Sequence, residues 1–326
     1  MLKATVYGDT NVGLVRSNNE DAYIAQTIWG DHYWLLVVID GLGGYEGGEV
    51  ASSIAKSTIL HTVESGRGKD CLDVIVQAVT DANNEIYKQR NSRDDLREMG
   101  CVITAAILDL ERRQMSMAHV GDTRMYQYDD NGLIKVTHDH SFVGMLEEEG
   151  HITEKQAMNH PKRNVIDRIV GDRIKDIEES DFIETAIFPV EKGQQFLLCS
   201  DGLSDMIGSE EIASVLRVRN NSKKKVRKLI SLANINGGQD NITVIVASIE
   251  IDGSASRIVR RTNTSVRQKK KKIQICKGGK NKNKGTFVID TADKSQNKTS
   301  KNFISLAIVT VIFMALLIII VLLLIR

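Results

Sequence analysis

Four aspartates stand where apolar, strand-like runs of this chain end: Asp40 in YWLLVVIDGLGG, Asp122 in SMAHVGDTR, Asp201 in FLLCSDGLSD and Asp240 in GGQDNITVIV. A strand end holds a short carboxylate rigidly, and a glycine beside it lets backbone approach whatever the carboxylate binds. Carboxylates drawn from four distant stretches and presented alike suggest one shared acidic cluster. Without a cation such groups repel and raise one another's pKa, so a divalent metal is their natural partner. Oxygen-only ligation favours Mg²⁺ or Mn²⁺ over zinc. Taken singly, each aspartate reads as a turn former bonding nearby amides; the joint pattern is what points to metal.

The elements that must position these residues alternate along 1–251. Strands are expected at 33–40, 102–108, 114–120, 124–128, 195–200 and 242–249, from their Val, Ile and aromatic content. Helices are expected at 48–65, 71–90, 210–217 and 223–234, where apolar residues recur every three or four positions. Strands that follow one another without a helix between them, as in 102–128, argue for antiparallel sheets with helices packed outside rather than a doubly wound parallel sheet. The polar stretch 144–172, with Pro161 inside it, is expected to be a flap-like insertion.

Further motifs fall in order: RSNNED at Arg16 to Asp21, DGLGG at Asp40 to Gly44, HVGDTR at His119 to Arg124, THDHS at Thr137 to Ser141, NVIDRIVG at Asn164 to Gly171, SDGLSD at Ser200 to Asp205 and GGQDNIT at Gly237 to Thr243. In set, order and spacing they resemble the metal-dependent Ser/Thr protein phosphatases, the PPM or protein phosphatase 2C family, in their compact bacterial form, over about residues 3 to 250. The resemblance implies an α+β fold, a two-sheet antiparallel β-sandwich flanked by helices, with two Mn²⁺ or Mg²⁺ ions at one end. By position, Asp40 bridges the ions, Gly41 offers its backbone carbonyl, and Asp201 and Asp240 are ligands; Glu20 holds metal-bound water, with Asp21 and Asn241 in support. Asp122 and Asp201 match the residues that hold a third, weaker metal, and Arg16 matches the arginine that grips the substrate phosphate.

Chemistry supports the assignment. No serine-hydrolase elbow and no cysteine phosphate cradle is present, so a covalent phosphoenzyme has no obvious nucleophile. Paired cations instead lower the pKa of a shared water, and the hydroxide attacks phosphorus in line. Developing charge on the phosphoryl oxygens then calls for the metals and a planar guanidinium at Arg16. His119, His138 and His140 are candidate acids, or structural histidines at strand ends. Two positions depart from the family: Leu42 stands where many eukaryotic members have a histidine, and Cys101 replaces a small hydroxyl residue. A phosphate-binding module with poor turnover and a hydrolase of small phosphate esters are the alternative functions.

The formal net charge of +1 conceals an asymmetry, for residues 1–251 hold 27 Lys+Arg against 39 Asp+Glu, whereas 252–302 hold 15 against three. The second segment is expected to be a flexible basic linker. From Phe303 to Ile325 no residue is charged, a length that as a helix crosses a hydrocarbon core of about 30 Å. The expected arrangement is a phosphatase domain (1–251), a linker (252–302) and one transmembrane helix (303–325). Basic residues flanking the span place the domain on the cytoplasmic face of the cell membrane. Phosphorylated proteins, among them a membrane-anchored Ser/Thr kinase, are the expected partners. Without interleaved aromatics the basic run suits anionic lipid better than any specific nucleic acid. The N-terminus has no signal-peptide core, and four cysteines without zinc or redox spacing fit a reducing compartment.

Overall fold

Strand β3 (Tyr33–Leu42) shows how the sequence builds the fold. Its odd residues, Leu35, Val37 and Ile39, pack under helices, while Leu36 and Val38 pack against a second sheet. A strand buried on both faces needs an unbroken apolar run, and LLVVI supplies one. The computed structural model describes residues 1–43, 47–174 and 181–251; the expected linker and membrane span lie outside them. Among the described residues no helix is long and apolar enough to cross a membrane.

Among the described residues ten strands form two five-stranded sheets, all paired antiparallel. Besides β3 they are β1 (Leu2–Asn11), β2 (Ala22–Ile28), β4 (Gly100–Asp109), β5 (Gln114–Val120), β6 (Arg124–Asp129), β7 (Gly132–Lys135), β8 (Glu184–Pro189), β9 (Gln195–Cys199) and β10 (Ile242–Ile251). One sheet has the order β1-β10-β9-β6-β7 and the other β2-β3-β4-β5-β8. The expected sandwich is therefore present. Expected strands match to within two residues at each end, whereas β1, β2, β7 and β8 were not anticipated. These four lie at sheet edges, where one face meets water and the apolar signal thins.

Helices cover both outer faces. α1 (Gly47–Ser65) sets Ala51, Ala55, Ile59 and Val63, spaced by four, beside α2 (Cys71–Ser92), which Asp70 caps by accepting a hydrogen bond from the amide of Leu72. Over the other sheet lie α6 (Ser209–Arg217) and α7 (Ser222–Ile235), the latter capped by Asn221 and buried through Val226, Leu229 and Ala233. The expected insertion begins with α3 (Phe142–Glu148) and α4 (Glu154–Met158), joined through Gly150 at φ 74°, and Thr153 and Gln156 close a capping box on α4.

Between the sheets, apolar layers from Leu36, Leu108, Met117, Phe196, Leu198 and Ile245 give way at one end to polar ones. The inward parity of β3 continues from Leu36 and Val38 to Asp40, that of β10 runs back from Ala247 and Ile245 to Thr243, and that of β9 continues to Ser200. The register Ala22↔Ile39, carried one residue further, sets Asp21 opposite Asp40. The site is this polar end of the sandwich.

Candidate active site

Asp40, Asp21, Asp201, Asp122 and Asp240 meet here. Burial first, then repulsion by Asp21, Asp201, Asp122 and Asp240 in that order, holds the Asp40 carboxyl well above the usual carboxylate range. Asp201 is also raised well above its ordinary value, by burial and then by Asp122, Asp205 and Asp240. It opens α5 (Asp201–Ser204), a single helical turn rather than the plain turn its sequence suggested, and its Oδ1 is buried with no hydrogen-bond partner. A buried carboxylate oxygen without a donor costs desolvation that a cation would offset.

Asp122 sits in the tight link between β5 and β6. Burial, then Asp139 and Asp205, push it up to about 7 against the attraction of Arg124. Asp205, one helical turn beyond Asp201, was not singled out as a site residue; the i, i+4 spacing in DGLSD was the available signal. Asp122, Asp201 and Asp205 share a cavity of about 30 Å³ with Arg124, Arg163 and the first turns of α3 and α4. Below it, Arg124 donates to Asp139 from Nη2 at 2.5 Å and from Nε at 2.9 Å.

Asp21 accepts hydrogen bonds from Ser200 Oγ at 2.8 Å and Thr243 Oγ1 at 2.7 Å, yet burial lifts it to about 7. Neither hydroxyl was anticipated, since a single serine or threonine at a strand end carries no distinctive pattern. Asn241 is a staple: its Oδ1 accepts from the Glu20 amide at 2.8 Å, and its Nδ2 donates to the carbonyls of Val12 at 3.0 Å and Asn18 at 2.9 Å. The loop carrying Arg16 and Glu20 is thereby fastened to the start of β10.

Glu20 and Gly41 converge on the N-terminus of α1. A Cβ on Gly48 would lie 2.6 Å from Glu20 Oε2 and 2.8 Å from the Gly41 carbonyl oxygen, so only glycine leaves both oxygens clear. The half-exposed Arg16 donates from Nη2 to Asp240 Oδ2 at 2.7 Å, so its guanidinium lies beside the cluster and on one of its carboxylates. The donor set, all oxygen, with an orphaned buried oxygen and carboxyls driven up by burial and then by mutual repulsion, fits hard divalent cations.

The aspartates are neighbours rather than a closed cage. Among the described residues, the set of three ligand-type atoms lying within 4.8 Å of one another belongs to His119, His140 and Glu184. Those rings are not free to ligate. His119 Nε2 faces the His138 carbonyl at 3.1 Å and must donate, so in the neutral ring Nδ1 accepts from Thr104 Oγ1 at 2.9 Å. His140 Nδ1 accepts from the Gly121 amide at 3.1 Å, and burial, His119 and Arg168 keep that ring neutral with its pKa pushed down to about 3. His138 Nδ1 donates to Glu184 Oε1 at 2.8 Å on the exposed side. These histidines are structural. Cys101 is fully buried on the helix-facing side of β4, and burial raises its thiol far above the ordinary range, so it is inert.

Comparison with known proteins supplies the family. Residues 15–235 match Protein phosphatase 2C. The chain is 36% identical over 237 residues to the serine/threonine protein phosphatase PstP of Mycobacterium tuberculosis, covering 73% of this chain and 43% of that protein. It thus spans less than half the length of the mycobacterial relatives. It is 32% identical over 252 residues to the serine/threonine phosphatase stp of Listeria monocytogenes, with 74% and 94% covered. Among solved structures, the PstP catalytic domain in complex with two manganese ions matches at 33% identity and a TM-score of 0.66, covering 77% of this chain and all of that one. Stp1 from Staphylococcus aureus matches at 29% and 0.68, with 77% and 96% covered. The chain belongs to the protein phosphatase 2C family, the metal-dependent Ser/Thr protein phosphatases of bacterial type.

Proposed function

We propose that this protein hydrolyses phosphoserine and phosphothreonine in phosphoproteins, using two Mn²⁺ or Mg²⁺ ions held at the polar end of the sandwich. The observation that carries the reading is the buried Asp201 Oδ1, a carboxylate oxygen without a partner inside a ring of repelling carboxylates. Asp40, Asp201, Asp240 and the Gly41 carbonyl would hold the ions, with Glu20 beside them as a further oxygen donor. Bound cations supply a water acidic enough to ionise near neutral pH. Asp122 and Asp201, which line the same small cavity, would hold a third, weaker ion.

The chain's own residues do the rest. Arg16 leaves Asp240 to take two phosphate oxygens, exchanging one carboxylate for the anionic substrate. Its half-exposed side chain on a loop stapled by Asn241 combines reach with a fixed base. Asp21, held by Ser200 and Thr243, keeps a polar floor behind Asp40 and fixes its approach. Leu42 stands at the position of the eukaryotic histidine, and His119 and His140 are engaged in structural hydrogen bonds, so neither of these two rings serves as the acid for the leaving group.

We further read the chain as tethered through residues 303–325 to the cytoplasmic face of a membrane, where it opposes a Ser/Thr protein kinase. The uncharged 23-residue run and the basic segment before it support this. Confinement to one surface raises the effective concentration of enzyme and substrate. The test is turnover of p-nitrophenyl phosphate and phosphothreonine peptides by the full chain, with and without Mn²⁺, and its recovery in membrane fractions. Cation-independent turnover would sink the metal assignment, and recovery in the soluble fraction would sink the tether.

A further inference from the structure

The domain of residues 1–251 is acidic, yet residues 217–236 contain no acidic side chain and a run of basic ones. Within this run α7 presents Lys223, Arg227, Ser231 and Ile235 in a row spaced by four, a single stripe of the helix surface. The stripe ends beside the catalytic loop. Leu14 lines the same cleft as Arg227, Ser231 and Ile235, a groove of about 830 Å³ whose opposite wall from β1 includes one acidic residue, Asp9. The Leu14 amide donates to the Gly238 carbonyl at 2.7 Å, two residues before Asp240, and two residues after Leu14 comes Arg16.

At this end of the groove two apolar side chains are left in water, Leu14 at 68% and Ile235 at 72% exposure, and Val15, next to Leu14 in the chain, is 69% exposed. Single exposed apolar residues need no explanation, but Leu14 and Ile235 lining one groove that begins two residues before Arg16 do. At the other end the Arg227 guanidinium is exposed and has no ion-pair partner among the described residues. Lys225, by contrast, is buried and donates to Gln195 and the Leu216 carbonyl, so it belongs to the scaffold.

We propose that this groove binds the polypeptide flanking the phosphorylated residue, and that it selects substrates with an apolar side chain beside the phosphoresidue and acidic side chains further along. The inference rests on the phosphoprotein phosphatase reading above. From Lys223 to Ile235 the helix rises about 18 Å, the reach of five or six residues of extended chain. With the phosphate on Arg16, the neighbouring apolar residue covers Leu14 and Ile235. Acidic side chains about four residues beyond it reach Arg227 and then Lys223. Continuity with the catalytic loop fixes one end of the occupant and charge complementarity fixes the other.

The test uses the full chain with Mn²⁺ and phosphothreonine peptides carrying Leu next to the phosphoresidue and two Glu residues further out, on either flank. Control peptides carry Ser for Leu or Gln for Glu, and p-nitrophenyl phosphate reports the chemistry alone. One flank should gain about fivefold to tenfold in kcat/KM over its controls, the scale of one partly buried side chain or one charge pair. Ile235→Ser should erase the preference for Leu, and Arg227→Glu the preference for Glu and its salt dependence, both with p-nitrophenyl phosphate turnover unchanged. Equal kcat/KM for every peptide would overturn the groove while leaving the phosphatase reading intact; turnover of none of them, or of p-nitrophenyl phosphate alone, would overturn both. Unchanged peptide preference in Arg227→Glu together with lost binding to anionic vesicles would hand the stripe to a lipid surface and likewise overturn the proposal.

Discussion

The aspartate cluster around Asp40 and the histidine cluster around His119 lie at the same end of the strands, and each brings together residue types that bind metals. The histidine set is the tighter, with three ligand-type atoms within 4.8 Å. Its ring nitrogens nevertheless all face polar neighbours: Thr104, the His138 carbonyl, the Gly121 amide and the Arg168 guanidinium. The aspartates are less compact but retain a buried oxygen with no partner and carboxyls raised by burial first and then by their mutual repulsion. Proximity alone therefore misidentifies the site. Unsatisfied hydrogen-bonding capacity, added to like charge, is what separates a ligand set from a polar patch of core.

The largest effect that tests this contrast is on turnover. Asp201→Ala should lower p-nitrophenyl phosphate turnover on the order of 10³-fold or more, since on the proposed reading it removes a metal ligand. His140→Asn, which keeps an acceptor for the Gly121 amide, should leave turnover and its Mn²⁺ dependence within about threefold and act on stability alone. Similar losses from both would erase the distinction. Next in size is Arg16→Ala, expected to cost about 10²-fold in kcat/KM by removing a bidentate partner of the phosphate, with Arg16→Lys intermediate because an ammonium keeps the charge and loses the fork.

Stability against pH should differ in sign between the two clusters. Asp21 and Asp122, raised from 3.8 to about 7, favour the folded state when protonated, so their contribution is full below about pH 4 and lost as pH rises through about 7. His140, lowered from 6.5 to about 3, does the reverse: its contribution is present above pH 6.5 and lost as pH falls toward 3. Denaturant titrations in chelator should show a loss of about 1–3 kcal/mol between pH 6 and 8 that added Mn²⁺ removes. Asp21→Asn should flatten that alkaline loss and His140→Asn the acidic one. An alkaline slope indifferent to both Mn²⁺ and Asp21→Asn would mean the carboxylates are not repelling one another.

The same contrast explains what the sequence disclosed. Asp40, Asp201 and Asp240 were legible because each follows or precedes an unbroken apolar run, and central strands such as β3 and β10 are buried on both faces. β1 and β2 were not, because LKATVYGDTN and AYIAQTI mix polar and apolar residues as edge strands do. Asp21 was visible only through the family motif, while Ser200 and Thr243 became visible only when the register brought them within hydrogen-bond reach of it. His119 and His140 could not be assigned from sequence at all. Their role depends on which backbone groups the β5 and THDHS segments bring to their ring nitrogens, a long-range outcome of pairing.

Asn241 provides the smallest and most discriminating test. It touches no substrate, and its three hydrogen bonds to Glu20, Val12 and Asn18 hold the catalytic loop against β10. Asn241→Ala leaves two carbonyls and one amide without partners, so KM for p-nitrophenyl phosphate should rise about tenfold as Arg16 loses its fixed base, while kcat changes less. Asn241→Asp keeps an acceptor for the Glu20 amide but turns both donors into a carboxylate oxygen facing two carbonyls, beside aspartates that already repel. Size and shape are preserved, so packing alone predicts Asp to be milder than Ala; hydrogen-bond polarity and charge predict it to be worse, most of all at alkaline pH. Kinetics of the two variants from pH 6 to 8.5 decide between these, and an Asp variant closer to wild type than Ala would show that the loop is held by shape rather than by donors.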